Sequence, residues 1–173
     1  KIAFLSNKDH DYFGSTDLFI YDMKTKDLKK IAKGIYSKPA WNGNVIYYSK
    51  KAMKPNKVGS KYYDLFEYNF RTKKEFQITR DGRAFSPVFS ANDSALFYLS
   101  TKDGTQNIFK IDLNSKSTEQ MTRLNNREIL GGLNYDLKNN RLIYDITTHH
   151  FKDIHYLSLA DSTSGGMMEN ALW

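Results

Sequence analysis

Four short segments of alternating polar and apolar residues recur at nearly equal intervals along this chain. Each begins with Asp or Asn, and their first residues lie 47, 43 and 46 positions apart. These first residues are Asp17, Asp64, Asn107 and Asp153. Alternation with a period of two is typical of β-strands. A repeat of this length predicts similar units that stack on one another, because one such unit cannot bury both of its faces alone.

Turn-forming residues separate further strands within each repeat. In the third and clearest repeat, strands are expected at 85–90, 95–100, 107–113 and 118–122. The segments between them are rich in Asn, Asp, Ser and Gly, which favour turns. We therefore predict an all-β fold, a β-propeller of about four blades with four antiparallel strands each. The blades are expected at residues 1–33, 34–82, 83–125 and 126–161, with residues 162–173 as a C-terminal tail or an outer strand.

The amino-acid composition excludes several kinds of site and segment. The chain has 173 residues, a net charge of +7, 14% aromatic residues and no cysteine. The absence of cysteine excludes disulfides and thiolate metal sites. No apolar run approaches the roughly 20 residues of a membrane-spanning helix, so we expect no membrane span. Residues 1–6 already have a strand pattern and the first repeat lacks its innermost strand. We therefore expect a fragment of a larger protein, with the remaining blades or domains of that parent as neighbours.

The third repeat carries a resemblance to a known family. Its matching segments are 87–90, 95–100, 103–104, 107–113 and 121–122. They resemble the repeat of TolB-like propellers, a PD-repeat family related to WD-like repeats. Residues 91–93 depart from its Pro-Asp-Gly turn, and residues 131–133 depart from its Pro-x-aromatic opening. The resemblance implies a propeller fold and a place in the periplasm or cell envelope.

Two functions are consistent with this resemblance. The first is a non-catalytic protein–protein interaction module of the bacterial cell envelope. The alternative is the lid or substrate-gating propeller of a larger hydrolase, such as a prolyl-oligopeptidase-type or metallopeptidase-containing protein, or a polysaccharide-degrading propeller that holds a metal by histidines. The sequence contains no Gly-x-Ser-x-Gly elbow, no His-Glu-x-x-His motif and no phosphate-binding loop. We therefore expect no catalytic residue in this chain. If the longer parent is an enzyme such as a peptidase, its catalytic residues are expected in another domain.

Several acidic and histidine residues are candidate metal ligands. Asp9 and Asp11 have the alternating spacing of a calcium loop, but the glycine and the closing glutamate of such loops are missing. We therefore expect no cofactor, with calcium as a minor alternative. His149, His150 and His155 are expected to be ordinary packed or rim residues. The recurring Asp and Asn at the four strand starts are expected to bind nearby backbone amides.

Basic residues are the strongest candidates for a binding site. The segment 50–63, which we call the basic loop, joins two strands of the second repeat and is the longest connection of its kind. Its lysines, and arginines in the connections between repeats, are expected to bind an acidic protein partner. These residues are Lys50, Lys51, Lys54, Lys57, Lys61, Arg80, Arg83, Arg123 and Arg127. No nucleic-acid-binding motif accompanies them, so nucleic acid is not expected as a partner. Trp41, Phe85 and Phe89 are expected in or near the core between blades.

Overall fold

The computed structural model describes residues 1–12, 14–52, 54–90, 94–125 and 127–159, together with a strand at 169–171. These residues form fifteen strands, β1 to β15. None of them is in a helix, so this part of the chain contains no helix able to cross a membrane. The all-β prediction is confirmed.

The strands form four antiparallel sheets, each made of strands that follow one another along the chain. The first sheet contains β1 (Ile2–Ser6), β2 (Asp17–Tyr21) and β3 (Leu28–Ala32). The second contains β4 (Ala40–Asn42), β5 (Val45–Lys51), β6 (Tyr63–Asn69) and β7 (Lys74–Gln77). The third contains β8 (Ala84–Phe89), β9 (Ala95–Ser100), β10 (Asn107–Asp112) and β11 (Thr118–Gln120). The fourth contains β12 (Ile129–Asp136), β13 (Arg141–Thr147), β14 (Lys152–Ser158) and β15 (Glu169–Ala171).

The chain divides into two compact units, Lys1–Pro87 and Val88–Trp173. The first unit contains the first two sheets. Its core includes Leu18, Ile46, Tyr48 and Phe66, all without solvent exposure. Trp41 is partly buried and packs against this cluster, with its ring 5.4 Å from that of Phe70. It therefore lies at the edge of the core, as expected, but it is not among the fully buried side chains. Phe85 and Phe89 are also half-buried.

One aromatic pair recurs at the same register in every sheet. It joins the two strands that correspond to β5 and β6 in the second sheet, and the rings in each pair are stacked. The pairs are Phe4–Phe19, Tyr48–Phe66, Tyr98–Phe109 and Tyr144–His155, with centroid distances of 5.8, 6.4, 5.8 and 6.0 Å. Directly opposed aromatic residues stabilise a strand pair. The repeat seen in the sequence therefore corresponds to a repeated side-chain contact.

The turn between the last two strands of each of the first three sheets has a common construction. Asp22, Asn69 and Asp112 each accept hydrogen bonds through Oδ1 from the amides two and three residues later. Four residues after each of them a lysine has a positive φ, between 56° and 64°. Such a side chain–backbone bond competes with strand pairing and reverses the chain. These turns explain why the last two strands are similarly spaced in each of the first three sheets.

The fourth sheet departs from the other three at its first strand. The pairing of β12 with β13 shifts register between Gly131 and Asn134. Gly132 has φ +55°, and the carboxylate of Asp145 occupies the space that a side chain at Gly131 or Gly132 would need. Gly132 therefore suits the left-handed backbone of this bulge, and Gly131 leaves room for the Asp145 carboxylate, which accounts for the unusual opening of the fourth repeat.

Candidate functional site

The Asp and Asn residues at the recurring strand starts form buried polar corners. Asp64 has no solvent exposure, and its Oδ1 accepts hydrogen bonds from Thr79 Oγ1 at 2.8 Å and from the Gly82 amide at 2.8 Å. Its Oδ2 accepts a bond from Gln77 Nε2 at 3.2 Å. These contacts fix the chain as it leaves β7. Burial raises the pKa of Asp64, although the hydrogen bonds from Thr79 and Gly82 oppose the shift.

The third repeat builds the same corner with a neutral side chain. Asn107 Oδ1 accepts bonds from Thr122 Oγ1 at 3.1 Å and from the Leu124 amide at 2.8 Å. Gln120 and Thr122 stand 13 and 15 residues after Asn107, as Gln77 and Thr79 do after Asp64. The expectation that these residues bind nearby amides holds for Asp64 and Asn107, and their role is structural. Asp153, in the fourth repeat, is exposed.

The first repeat has a charged version of this corner. Lys30 and Ala32 replace the glutamine and the threonine of the other corners. The Lys30 ammonium lies 2.7 Å from Oδ2 of the fully buried Asp17, and His10 Nε2 lies 2.9 Å from its Oδ1. Burial alone raises the pKa of Asp17, but Lys30, His10 and the Gly34 amide outweigh it and lower the pKa to about 2. The same position therefore has opposite pKa shifts in the first and second repeats.

This difference predicts a pH-dependent effect of Asp17→Asn. Because the folded pKa is below the ordinary value of 3.8, Asp17 stabilises the fold above that pH. The contribution is on the order of 2 kcal/mol and is lost as the pH falls from about 4 towards 2. Urea unfolding of wild type and Asp17→Asn should thus differ most at pH 6 and least near pH 3. Asp103→Asn, which removes an exposed carboxylate, is the control; an equal pH dependence in both variants would contradict the assignment.

The calcium alternative involves the loop beside this corner. Asp9 lies 3.2 Å from the Lys8 ammonium and 2.5 Å from that of Lys30, while Asp11 is exposed. Lys30 therefore bridges Asp9 and Asp17. A calcium ion at this place would have to displace that ammonium, so calcium remains only a minor prediction.

The histidines predicted to be packed or rim residues lie on and beside β14. His149 and His150 are exposed, and the His150 amide bonds to Thr148 Oγ1 at 3.3 Å. His155 is half-buried and stacks on Tyr144. Within the described part of the chain, no three or more His, Cys, Asp or Glu residues are grouped so that they could hold a metal ion.

Lys50 and Lys51 belong to a strand and not to a loop, because β5 pairs with β6 as far as Lys51 and Tyr63. This strand is two residues longer than the sequence suggested. The Lys50 ammonium lies 2.6 Å from Glu75 Oε2 and 4.6 Å from the centroid of the Phe66 ring. Its charge is therefore already neutralised within the fold.

The rest of the basic loop is held by its own hydrogen bonds. Asn56 Oδ1 accepts bonds from the amides of Val58 and Ser60 at 3.1 and 2.9 Å, and the Asn56 amide bonds to the Ser60 carbonyl at 2.8 Å. The Ala52 amide bonds to the Tyr62 carbonyl at 2.8 Å and closes the base of the loop. Lys54, Lys57 and Lys61 are exposed on this framework, and Lys51 is exposed at the end of β5. No acidic side chain forms an ion pair with them among the residues described.

The four arginines divide between the two units. In the first unit Arg80 is exposed, whereas Arg83 is half-buried and its guanidinium lies 4.1 Å from the centre of the Tyr62 ring. In the second unit Arg123 and Arg127 are exposed. Their role in partner binding remains a prediction, as it does for the five lysines.

Sequence reasoning overlooked Lys33. It lies 16 residues after Asp17, as Arg80 and Arg123 do after Asp64 and Asn107, so a basic residue recurs after each corner. Lys33 lines a groove in the first unit together with lysines of β5 and the basic loop. We call this the lysine groove; it has a volume of about 580 Å³. Its lining residues are Gly14, Ser15, Lys33, Gly34, Lys50, Lys51, Ala52, Lys61 and Tyr63.

Solved structures with the same arrangement of strands were found by comparison. TolB from Acinetobacter baumannii superposes with a TM-score of 0.76 at 13% identity, over 99% of this chain and 40% of its own length. A putative TolB from Agrobacterium tumefaciens gives 0.75 at 13% identity, over 99% and 60%. The fold is that of a TolB-like β-propeller. This chain thus spans 40–60% of the length of those two propellers.

Enzymes with the same fold also match. An oligogalacturonate lyase in complex with manganese has a TM-score of 0.64 at 12% identity, over 98% of this chain and 52% of its own. An acylaminoacyl peptidase from Pyrococcus horikoshii has 0.53 at 13% identity, over 80% and 26%. No protein-family profile and no curated protein matches the sequence. Because all these sequence identities are low, the likeness establishes only the fold. Function has to be inferred from the side chains of this chain.

Proposed function

We propose that this chain is a non-catalytic partner-binding module of a bacterial cell-envelope propeller, and that it docks an acidic protein through the basic loop. The proposal is supported mainly by the hydrogen-bonded backbone of the loop, on which the side chains of Lys54, Lys57 and Lys61 are exposed to solvent. A fixed backbone lowers the entropy cost of binding. Val58, which is 78% exposed at the tip, adds an apolar contact. Placement in the periplasm or envelope is supported by the likeness to the two TolB structures.

Charge reversal at the loop tests this proposal. Lys54→Glu/Lys57→Glu should reduce several-fold the recovery of an acidic protein from a bacterial envelope extract at low salt, because exposed charges act mainly on encounter. The double variant should unfold within about 0.5 kcal/mol of wild type, since both side chains are exposed. Lys24→Glu/Lys74→Glu reverses two exposed lysines elsewhere in the same unit and is the matched control. Equal recovery by wild type and both variants at low and high salt would overturn the proposal.

A second candidate is a propeller domain of a larger hydrolase, favoured by the likeness to the acylaminoacyl peptidase and the lyase. Flanking sequence separates the two functions. A neighbouring α/β-hydrolase segment with a Gly-x-Ser-x-Gly elbow would support the hydrolase. An OmpA-like or peptidoglycan-binding segment would support the envelope module.

A further inference from the structure

The lysine groove has an unusual balance of charge. Its lining contains four lysines, but no Asp, Glu, Asn or Gln. Lys50 is neutralised by Glu75, whereas Lys33, Lys51 and Lys61 are exposed and have no ion-pair partner in the part of the chain described. Three like charges on one concave surface raise the local concentration of anions. The groove therefore favours a ligand with several negative groups.

The walls of the groove are joined by backbone contacts within the first unit. The Ile35 amide bonds to the Thr16 carbonyl at 2.7 Å, and Thr16 Oγ1 returns a bond of 2.7 Å to the Ile35 carbonyl. Ile35 also forms a β-bridge with Lys50. These contacts connect the loop before β2, the segment after β3 and the end of β5. The groove is thus preformed, which lowers the cost of ordering it around a ligand.

We propose that the lysine groove binds an extended acidic peptide segment of the partner. This inference rests on the proposed function and names the chemistry that one part of the surface recognises. On an extended chain, side chains two residues apart lie on the same side and about 7 Å from one another. Alternate Asp or Glu residues therefore direct a row of carboxylates at Lys33, Lys51 and Lys61.

The lining selects carboxylates over sugar hydroxyls. Lysine ammonium groups only donate hydrogen bonds, and a carboxylate only accepts them. A neutral or weakly charged glycan brings many hydroxyl donors, for which this lining offers no carboxylate and no side-chain amide as an acceptor. Tyr63 lines the groove, and its ring lies 4.4 Å from that of Tyr36, which is 57% exposed. This aromatic pair gives the groove an apolar border beside its lysines, where an aromatic side chain of the peptide can pack.

The probe is a fluorescently labelled ten-residue peptide of alternating Glu and Tyr, measured by anisotropy at low salt. Lys33→Gln/Lys61→Gln should weaken its binding by about tenfold or more, because two charge-assisted contacts are lost. Lys24→Gln/Lys74→Gln removes the same charge from exposed positions outside the groove. It should change the affinity by about twofold at most, because it weakens only the overall electrostatic attraction of the protein for the peptide. Matching melting temperatures establish that both variants are folded.

The proposal is overturned if wild type does not bind the peptide, or if the two variants lose affinity equally. It is also overturned if an oligogalacturonate or a single-stranded DNA of equal charge binds as tightly and depends on the same lysines. Lys54→Gln/Lys57→Gln separates the groove from the proposed function. If this variant loses partner recovery while Lys33→Gln/Lys61→Gln binds the peptide normally, the groove assignment fails and docking by the basic loop stands.

Discussion

Phe66→Ala is expected to lower the free energy of unfolding by about 3–5 kcal/mol, the usual cost of truncating a fully buried aromatic residue. Phe66 has no solvent exposure, stacks on Tyr48 and belongs to the core cluster of the first unit. Truncation would also remove the ring that lies under the Lys50 ammonium. Equilibrium urea unfolding followed by tryptophan fluorescence measures the change.

The control for this variant is Phe76→Ala on β7. Phe76 is 51% exposed, so its loss should cost about 1 kcal/mol or less. Comparable losses in the two variants would mean that the stacked pairs between strands do not form the core of the repeat.

Asp64→Ala is expected to cost about 3 kcal/mol, because it leaves the Gly82 amide, Thr79 and Gln77 without their acceptor in a buried corner. Asp64→Asn should cost only about 1 kcal/mol, since Asn107 fills the equivalent corner with corresponding Oδ1 contacts, although an amide nitrogen cannot accept the bond that Oδ2 accepts from Gln77. Thermal or urea unfolding of both variants provides the comparison. An asparagine variant as unstable as the alanine variant would show that the corner requires a carboxylate.

Wild type and Asp64→Asn are also expected to differ in the pH dependence of their stability. Burial raises the folded pKa of Asp64 above 3.8, so the carboxyl group favours the folded state most below that pH. This contribution is lost as the pH rises through the folded pKa. Asp64→Asn should therefore gain stability relative to wild type between acid and neutral pH. The opposite trend is expected for Asp17→Asn, because Lys30 lowers the pKa of Asp17.

The sequence predicted the repeat because each unit places the same residue types at the same distances. Turns such as that after Asp22 depend on contacts between residues two and three apart, and such local contacts are visible in a single sequence. The all-β fold and its likeness to TolB propellers follow from this regularity. The bulge at Gly131 was harder to foresee, because it depends on where the Asp145 carboxylate lies in the neighbouring strand.

The candidate site was less accessible to sequence reasoning. The composition of the basic loop indicates positive charge, but not which charges are already paired. Lys50 is neutralised by Glu75, 25 residues away and two strands across the sheet. Lys33 could have been found from its spacing to Asp17, which matches that of Arg80 to Asp64. Its proximity to Lys51 and Lys61 depends on the packing of the first two sheets.

An acidic partner that binds the first unit at the lysine groove and the basic loop should perturb the backbone amides of these two segments. A titration of the ¹⁵N-labelled chain with the alternating Glu–Tyr peptide measures this effect, because each backbone amide gives its own signal. We predict that amide chemical-shift changes concentrate at residues 14–15, 33–34, 51–52, 54 and 56–63. Changes centred on the turns at 22–27 and 42–44, or equal small changes over the whole chain, would contradict binding at the lysine groove and the basic loop.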